Sequence, residues 1–350
     1  MRYLLIVLLL VTPLSLASQE RWSSAGPAGH APIGVMGDHT HSAGEWMFAY
    51  VYQRQAMSGL RDGTGRVSTD EAWMHYRMVP LSMEMDMHMP HIMYAPNGRV
   101  TIMAMGMWME HSMEVRMEDA LMAGHGHGHQ MDGHGDRGFH NMAHSLSGWA
   151  DTEVSALVTL LDRNRQRIHL NLGVGLPTGS VTASDDRMVV EHSRMGYPMQ
   201  LGSGSWEARP GATYLRQTDR VSWGAQGLST FRLNENSEGW KRGTEGEFNG
   251  WAMLRGSDVV SPGLRIQARH WGDVSGADSA LDPSVSPEND PSLQGGTRMD
   301  AFLALNFQVP SGALAGHRVA LELGGPVVES LNGPQSSHDW TVNVGWEYSF

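Results

Sequence analysis

The chain has 350 residues, a formal net charge of -12, and a composition marked by 42 Gly, 25 Met and 12 Trp, with only 7 Phe and no Cys. The acidic balance excludes a nucleic-acid partner, whose phosphates demand a basic surface, and the lack of Cys excludes disulfides and thiolate metal sites. Met1-Arg2-Tyr3, the apolar run from Leu4 to Val11 and Ser15-Leu16-Ala17 predict a signal peptide at 1–17. No run of about 18 apolar residues follows it, which excludes a helical membrane protein, while Gly and Trp in alternating contexts fit a transmembrane barrel.

Residues 18–43 contain Gly, Pro and Ser without a hydrophobic period and are expected as a loose periplasmic segment. Within it, Gly37-Asp38-His39-Thr40-His41 offers metal-type ligands, although two His in a flexible segment are ordinarily just solvated. Residues 44–350 predict an all-β fold: an antiparallel transmembrane β-barrel of about 12 strands, with short periplasmic turns and long outer loops in a bacterial outer membrane. Its first strand, Glu45 to Gln55, alternates Trp46, Phe48, Tyr50 and Tyr52 toward lipid with Met47, Ala49, Val51 and Gln53. Residues 57–79 read as an outer loop with a short helix around Glu71 to Met78.

Sixteen of the 25 Met fall between Met74 and Met142. Many of them recur at every second residue, a period that puts them on one strand face. Pro96-Asn97-Gly98 predicts a three-residue hairpin loop pairing Ala95 with Arg99, which would put the odd residues of both ladders on one face. On that face lie Met85, Met87, Met89, His91 and Met93, and across the turn Met103, Met105, Met107, Met109 and His111. The other face carries Tyr94, Ile92, Val100, Ile102 and Trp108, the better lipid surface, so the Met face is expected to line the lumen. A Met/His-rich outer loop is expected at 112–148, where His125, His127, His129 and His134 alternate with Gly or polar residues in a tract too Gly-rich to pack.

Further strands are expected at Gly148 to Leu161 and from Ile168 to Leu176, with a tight inner turn at Asp162-Arg163-Asn164-Arg165. The outer loop after Pro177 contains Met188, His192, Met195 and Met199, and hairpins of the same kind continue to the C-terminus. The final strand alternates Trp340, Val342, Val344, Trp346, Tyr348 and Phe350 with small or polar residues. Its terminal Phe350 is the kind of ending through which barrel-assembly machinery takes up an outer-membrane protein, so that machinery and outer-membrane lipid are expected partners.

The segment from Gly37 through Trp46, the hairpin Met93-Tyr94-Ala95-Pro96-Asn97, the phrase Leu170 to Ser180 and the C-terminal strand together resemble the outer-membrane transporter-like proteins grouped under the MetA pathway of phenol degradation. The resemblance covers most of the chain beyond residue 17. It implies an outer-membrane channel or uptake protein, often for hydrophobic compounds.

The side chains themselves carry another chemistry. Thioether sulfur binds Cu(I) or Ag(I), and imidazole suits Cu(II), Ni(II) and Zn(II). Fourteen residues are thus metal-ligand candidates: Met85, Met87, Met89, His91, Met93, Met103, Met105, Met107, Met109, His111, His125, His127, His129 and His134. They predict a barrel that binds or transports soft metal ions, copper above all, with copper or silver as cargo and no cofactor required. The alternatives are a channel for small hydrophobic or aromatic molecules, with Met as apolar lining, and a non-conducting metal-binding barrel. Interior Asp151, Glu153, Glu207, Arg209, Glu247, Arg265, Arg269, Arg298, Asp300, Arg318, Glu322 and Glu347 are expected to pair with one another. No Gly-x-Ser-x-Gly elbow, phosphate loop or His-Glu-x-x-His motif is present, so no enzyme is expected.

Overall fold

Strands that alternate apolar with polar or small residues leave one apolar face to lipid, and closing them into a ring bonds every backbone N–H and C=O without leaving an edge. The computed structural model describes residues 22–119, 138–185 and 193–350. In chain order the first strands are β1 (Trp46–Gly63), β2 (Gly65–Val67), β3 (Met78–Asn97), β4 (Val100–Met105), β5 (Trp108–Glu118) and β6 (Phe139–Trp149). They are followed by β7 (Thr152–Arg163), β8 (Gln166–Leu176), the short β9 (Ser184–Asp185) and β10 (Ser193–Arg194), β11 (Glu207–Gln217) and β12 (Val221–Arg232). The last are β13 (Trp240–Lys241), β14 (Glu245–Leu254), β15 (Val260–Trp271), β16 (Ser275–Gly276), β17 (Gly296–Gln308) and β18 (His317–Ser349). Among the described residues one short α-helix, α1 (Thr69–Trp73), begins where Ser68 Oγ accepts from Glu71 N, near the helix expected after β1.

Eleven strands close the ring in the order β1, β18, β17, β15, β14, β12, β11, β8, β7, β4, β3, and β3 returns to β1. β18 crosses the wall twice. Residues 318–331 lie beside β17 and residues 335–349 beside β1, with Gly333 at φ +101° between them. The wall therefore has twelve legs, the number the alternation predicts. β5 and β6 form an additional hairpin that prolongs the outer half of β3. The ring is sealed where Trp46 N donates to Phe350 O at 2.9 Å and Phe350 N to Trp46 O at 3.0 Å. Phe48, Leu172, Val174, Leu303, Leu323 and Trp346 are exposed on its outside, the apolar band that an outer membrane covers.

Strand boundaries differ from expectation in several places: β1 runs on to Gly63 and β3 begins at Met78, both inside the stretch 57–79 expected as an outer loop. The Met/His-rich loop is shorter than 112–148, because β5 continues to Glu118 and pairs along β6 from Trp108–Trp149 to Glu118–Phe139. Met113, Val115 and Met117 keep the two-residue period and stay buried, which is why the strand runs on. The turn between the Met ladders also differs: Asn97 pairs with Val100, and Gly98-Arg99 form its tip. A two-residue tip alone would set odd residues of one ladder opposite even residues of the other. A bulge between Tyr94 and Asn97 absorbs one residue and restores the match, so that Met93 faces Met103.

Residues 22–43, expected as a loose segment, pack inside the barrel, with Trp22, Ala28, Ala31, Ile33 and Val35 buried. The segment begins beside the β11–β12 turn, where Ser23 N donates to Gln217 Oε1 at 3.0 Å. It reaches deepest near Gly34, whose N–H donates to Glu322 Oε2 at 3.1 Å. It returns to the same mouth at His41, whose N–H donates to Thr101 Oγ1 at 2.9 Å. Irregular backbone inside a lumen needs partners for its polar groups, and inward-pointing amides supply them. Asn306 Nδ2 donates to Pro27 O, Gln226 Nε2 to Met36 O, and Asn171 Nδ2 to Gly37 O, at 3.0 to 3.1 Å.

Candidate functional site

The odd-numbered residues of β3, β4 and β5 point inward. Met93 stands across from Met103, His91 from Met105, Met87 from Met109 and Met85 from His111, so thioethers and imidazoles of neighbouring strands lie side by side. Met87, Met89, His91, Met93, Met103, Met109 and His111 are buried, and Met85, Met105 and Met107 half-buried. Met85, Met87, Met89, Met103, Met105 and Met107 line one side of a lumenal cavity of about 370 Å³. Met93 is outside that lining and packs with Met47, Ala49, Leu157 and Met103, closer to the inner mouth. His125, His127, His129 and His134 lie outside the described residues, as do Met188 and His192 of the later loop.

Charged residues, Glu153, Arg209, Glu245, Arg265, Arg269 and Arg298 among them, complete the lining of the cavity, and ion pairs continue from it along the barrel interior. Arg209 pairs with Glu153. Arg232 Nε lies 2.9 Å from Glu207 Oε1, and Arg269 Nη2 lies 2.5 Å from Glu245 Oε1. Arg265 Nε lies 2.6 Å from Glu322 Oε1, Arg298 Nε 2.9 Å from Asp300 Oδ2, and Arg318 Nη1 2.5 Å from Glu347 Oε2. Three of these pairs join neighbouring strands or legs, Arg209–Glu153 and Arg265–Glu322 each reach across one intervening strand, and Arg298 and Asp300 stand two residues apart on β17, so opposite charges neutralise each other locally. Asp151 takes a different part: its carboxylate accepts from Gly179 N and Ser203 N and ties two loop segments together.

A second cavity of about 270 Å³ lies toward the outer mouth and shares Met85, Glu245, Arg269 and Arg298 with the first. Its wall includes Met57, Met83 and Glu288, and burial pushes the Glu288 carboxyl up to about 8. Around it Met78, Met83, Met113, Met117, Met195 and Met199 form one cluster. None of these six belongs to the candidate set, although the spacing of Met113 and Met117 continues the ladder. Met36, carried in by the N-terminal segment, adds a further thioether to the inner cavity, for which no period in the sequence gave a sign. The two cavities adjoin at Met85, Glu245, Arg269 and Arg298, and the inserted segment bounds the inner one through Gly34 and Met36.

A closed antiparallel ring with an apolar exterior and a lined interior defines an outer-membrane β-barrel. Among solved structures, the COG4313 outer membrane channel from Pseudomonas putida F1 matches at 11% identity over 91% of this chain and 100% of that one, with a TM-score of 0.58. A Pseudomonas aeruginosa FadL homologue matches at 10% identity over 87% and 90% of the two chains, with a TM-score of 0.44. The CymD monoaromatic hydrocarbon channel matches at 10% identity over 93% and 97%, with a TM-score of 0.39. The first of these establishes a shared fold. No family model and no curated protein matches the sequence.

Proposed function

We propose that the barrel is an outer-membrane channel for small apolar molecules, aromatic compounds among them, which travel along the methionine wall. The observation that carries this reading is that two lumenal cavities adjoin along that wall, with Met57, Met83 and Met85 lining the outer one and Met85, Met87, Met89, Met103, Met105 and Met107 the inner. Thioether side chains are apolar, polarisable and conformationally adaptable, and they contact aromatic faces and edges favourably. The ion pairs beside it offer few free charges to a charged solute, because their guanidinium and carboxylate groups already satisfy one another. The resemblance to proteins grouped under the MetA pathway of phenol degradation implies the same class of cargo.

A second reading, conduction or storage of Cu(I) or Ag(I), is favoured by one specific observation. Two thioethers face each other in the pairs Met93–Met103 and Met87–Met109, and His91 and His111 lie within the same array with ring nitrogens that have no hydrogen-bond partner. Such an array offers soft ligands at successive levels. One variant set separates the readings: Met103, Met105, Met107 and Met109 all replaced by Leu, which keeps the wall apolar but removes sulfur. Uptake of a small aromatic solute is measured in vesicles whose outer leaflet is lipopolysaccharide. Apolar transport predicts protein-dependent uptake that survives the Leu set and falls with Met105→Arg. Uptake no faster than in protein-free vesicles, together with Ag(I) binding that the Leu set abolishes, would overturn it in favour of the metal.

A further inference from the structure

We propose that His30, His39 and His41 form a binding site for one borderline divalent transition-metal ion, of the Zn(II), Ni(II) or Cu(II) class, on the N-terminal segment at the inner mouth of the barrel. All three side chains are buried, and they line one cavity of about 170 Å³ together with Ser24, Glu45, Arg318 and Glu347. The His30 and His39 ring centroids are 4.7 Å apart, and those of His39 and His41 4.8 Å. One ligand atom from each of His30, Asp38 and His39 lies within 4.8 Å of the others. The site is independent of what the channel passes, because it uses none of the methionine wall.

The hydrogen bonds of the three rings share one pattern. His30 Nε2 lies 3.1 Å from Ser24 O, His39 Nδ1 2.6 Å from Asp38 Oδ1, and His41 Nδ1 3.0 Å from Glu45 Oε1. The other nitrogen of each ring, His30 Nδ1, His39 Nε2 and His41 Nε2, is buried without a partner. Three unsatisfied buried nitrogens in one cavity are costly as packing. As a ligand set they make sense: a metal-bound imidazole typically donates its second nitrogen to a carboxylate or a carbonyl, which fixes the tautomer and turns the free lone pair toward the ion. Asp38 is itself held in place, since its Oδ2 accepts from Ala31 N at 2.8 Å.

The surrounding charge also favours a cation. Asp38, Glu45 and Glu347 stand against two guanidinium groups: Arg318, which is paired with Glu347 and donates through Nη2 to Ala31 O at 2.6 Å, and Arg167, which donates to Thr40 O at 2.8 Å and is paired with Asp162. Neutral imidazoles with carboxylates in the outer sphere suit borderline ions better than Cu(I), which prefers sulfur, or Ca(II), which prefers oxygen.

The experiment uses the whole barrel in detergent, with His125, His127, His129 and His134 replaced by Ser so that the Gly-His tract cannot bind metal. The protein is equilibrated with Zn(II), Ni(II) or Cu(II) in turn, desalted, and its metal content measured. The expected result is one retained equivalent, lost in His30→Gln and in His39→Gln, with Asp38→Asn binding about 10- to 100-fold more weakly. Heat-dependent gel mobility checks that each variant is folded. Because a Gln variant can fail to fold, Cu(II) electron paramagnetic resonance is also recorded on the chain with His30, His39 and His41 intact, where nitrogen couplings from more than one imidazole are expected. Retention of metal by folded His variants, or no equivalent bound and no imidazole coupling in the intact site, overturns the proposal.

Discussion

Arg265 grips Glu322 through two contacts, Nε to Oε1 at 2.6 Å and Nη2 to Oε2 at 3.1 Å, with both side chains buried in the barrel interior. The same carboxylate accepts from Gly34 N of the N-terminal segment and from Asn343 Nδ2, at 3.1 and 2.9 Å. One acidic side chain thus ties β15, both legs of β18 and the inserted segment together.

Glu322→Gln leaves the Arg265 charge buried without a counterion, which costs about 3–5 kcal/mol. The expected outcome is a lower midpoint in urea unfolding of the detergent-solubilised barrel. Arg265→Met combined with Glu322→Leu removes both charges and is expected to recover most of that loss. A double variant as unstable as Glu322→Gln alone would mean that the pair is not the source of the effect.

Gly34 touches this pair so closely that a Cβ would sit 2.4 Å from Glu322 Oε2 and 2.6 Å from Arg265 Nη2. Gly34→Ala is therefore expected to push the inserted segment out of its seat while leaving the strand pairing intact. Planar-bilayer recordings should show higher conductance than for the unaltered barrel, and unchanged conductance would count against the segment as an obstruction.

Glu288 gives a pH dependence with a definite sign. Burial holds its folded pKa at about 8, above the ordinary value of 4.5, so the protonated form favours the folded loop. That stabilisation is full below pH 4.5 and is lost as pH rises through 8. Hydrogen exchange of residues 286–293 is expected to slow as pH falls from 8 toward 5, after correction for intrinsic rates, and Glu288→Gln should flatten the dependence.

Met103 is buried against Met47, Met93 and Leu157. Met103→Ala opens a void there and is expected to lower barrel stability by about 2–5 kcal/mol, whereas Met105→Ala, at a half-buried position on the larger cavity, should cost less and enlarge that cavity. Urea unfolding and conductance together separate the two effects.

Much of the wall was legible in the sequence, because alternation has only two phases and the lipid-facing set, from Trp46 and Phe48 to Trp346, picks one of them. The inward direction of Met85 to Met109 followed from the same rule, even though the turn that was meant to secure it has another form. The expected pairing of Ala95 with Arg99 differs from the observed register by two residues, and a shift of two leaves every face unchanged. The N-terminal segment was not legible. Its burial depends on amides from distant strands, Asn171, Gln226 and Asn306, and no local period records such partners. Of the histidine trio, His39 and His41 were legible as metal-type ligands, whereas His30 was not, because it joins them only when the chain doubles back.

That doubling back separates two kinds of cohesion. Residues 22–43 enter and leave by one mouth, so they are held by side-chain contacts and contribute no rung to the ring itself. The stopper and the vessel can accordingly come apart in sequence: the inserted chain can be drawn out through the inner opening while every strand ladder, and with it the seal against the bilayer, stays whole.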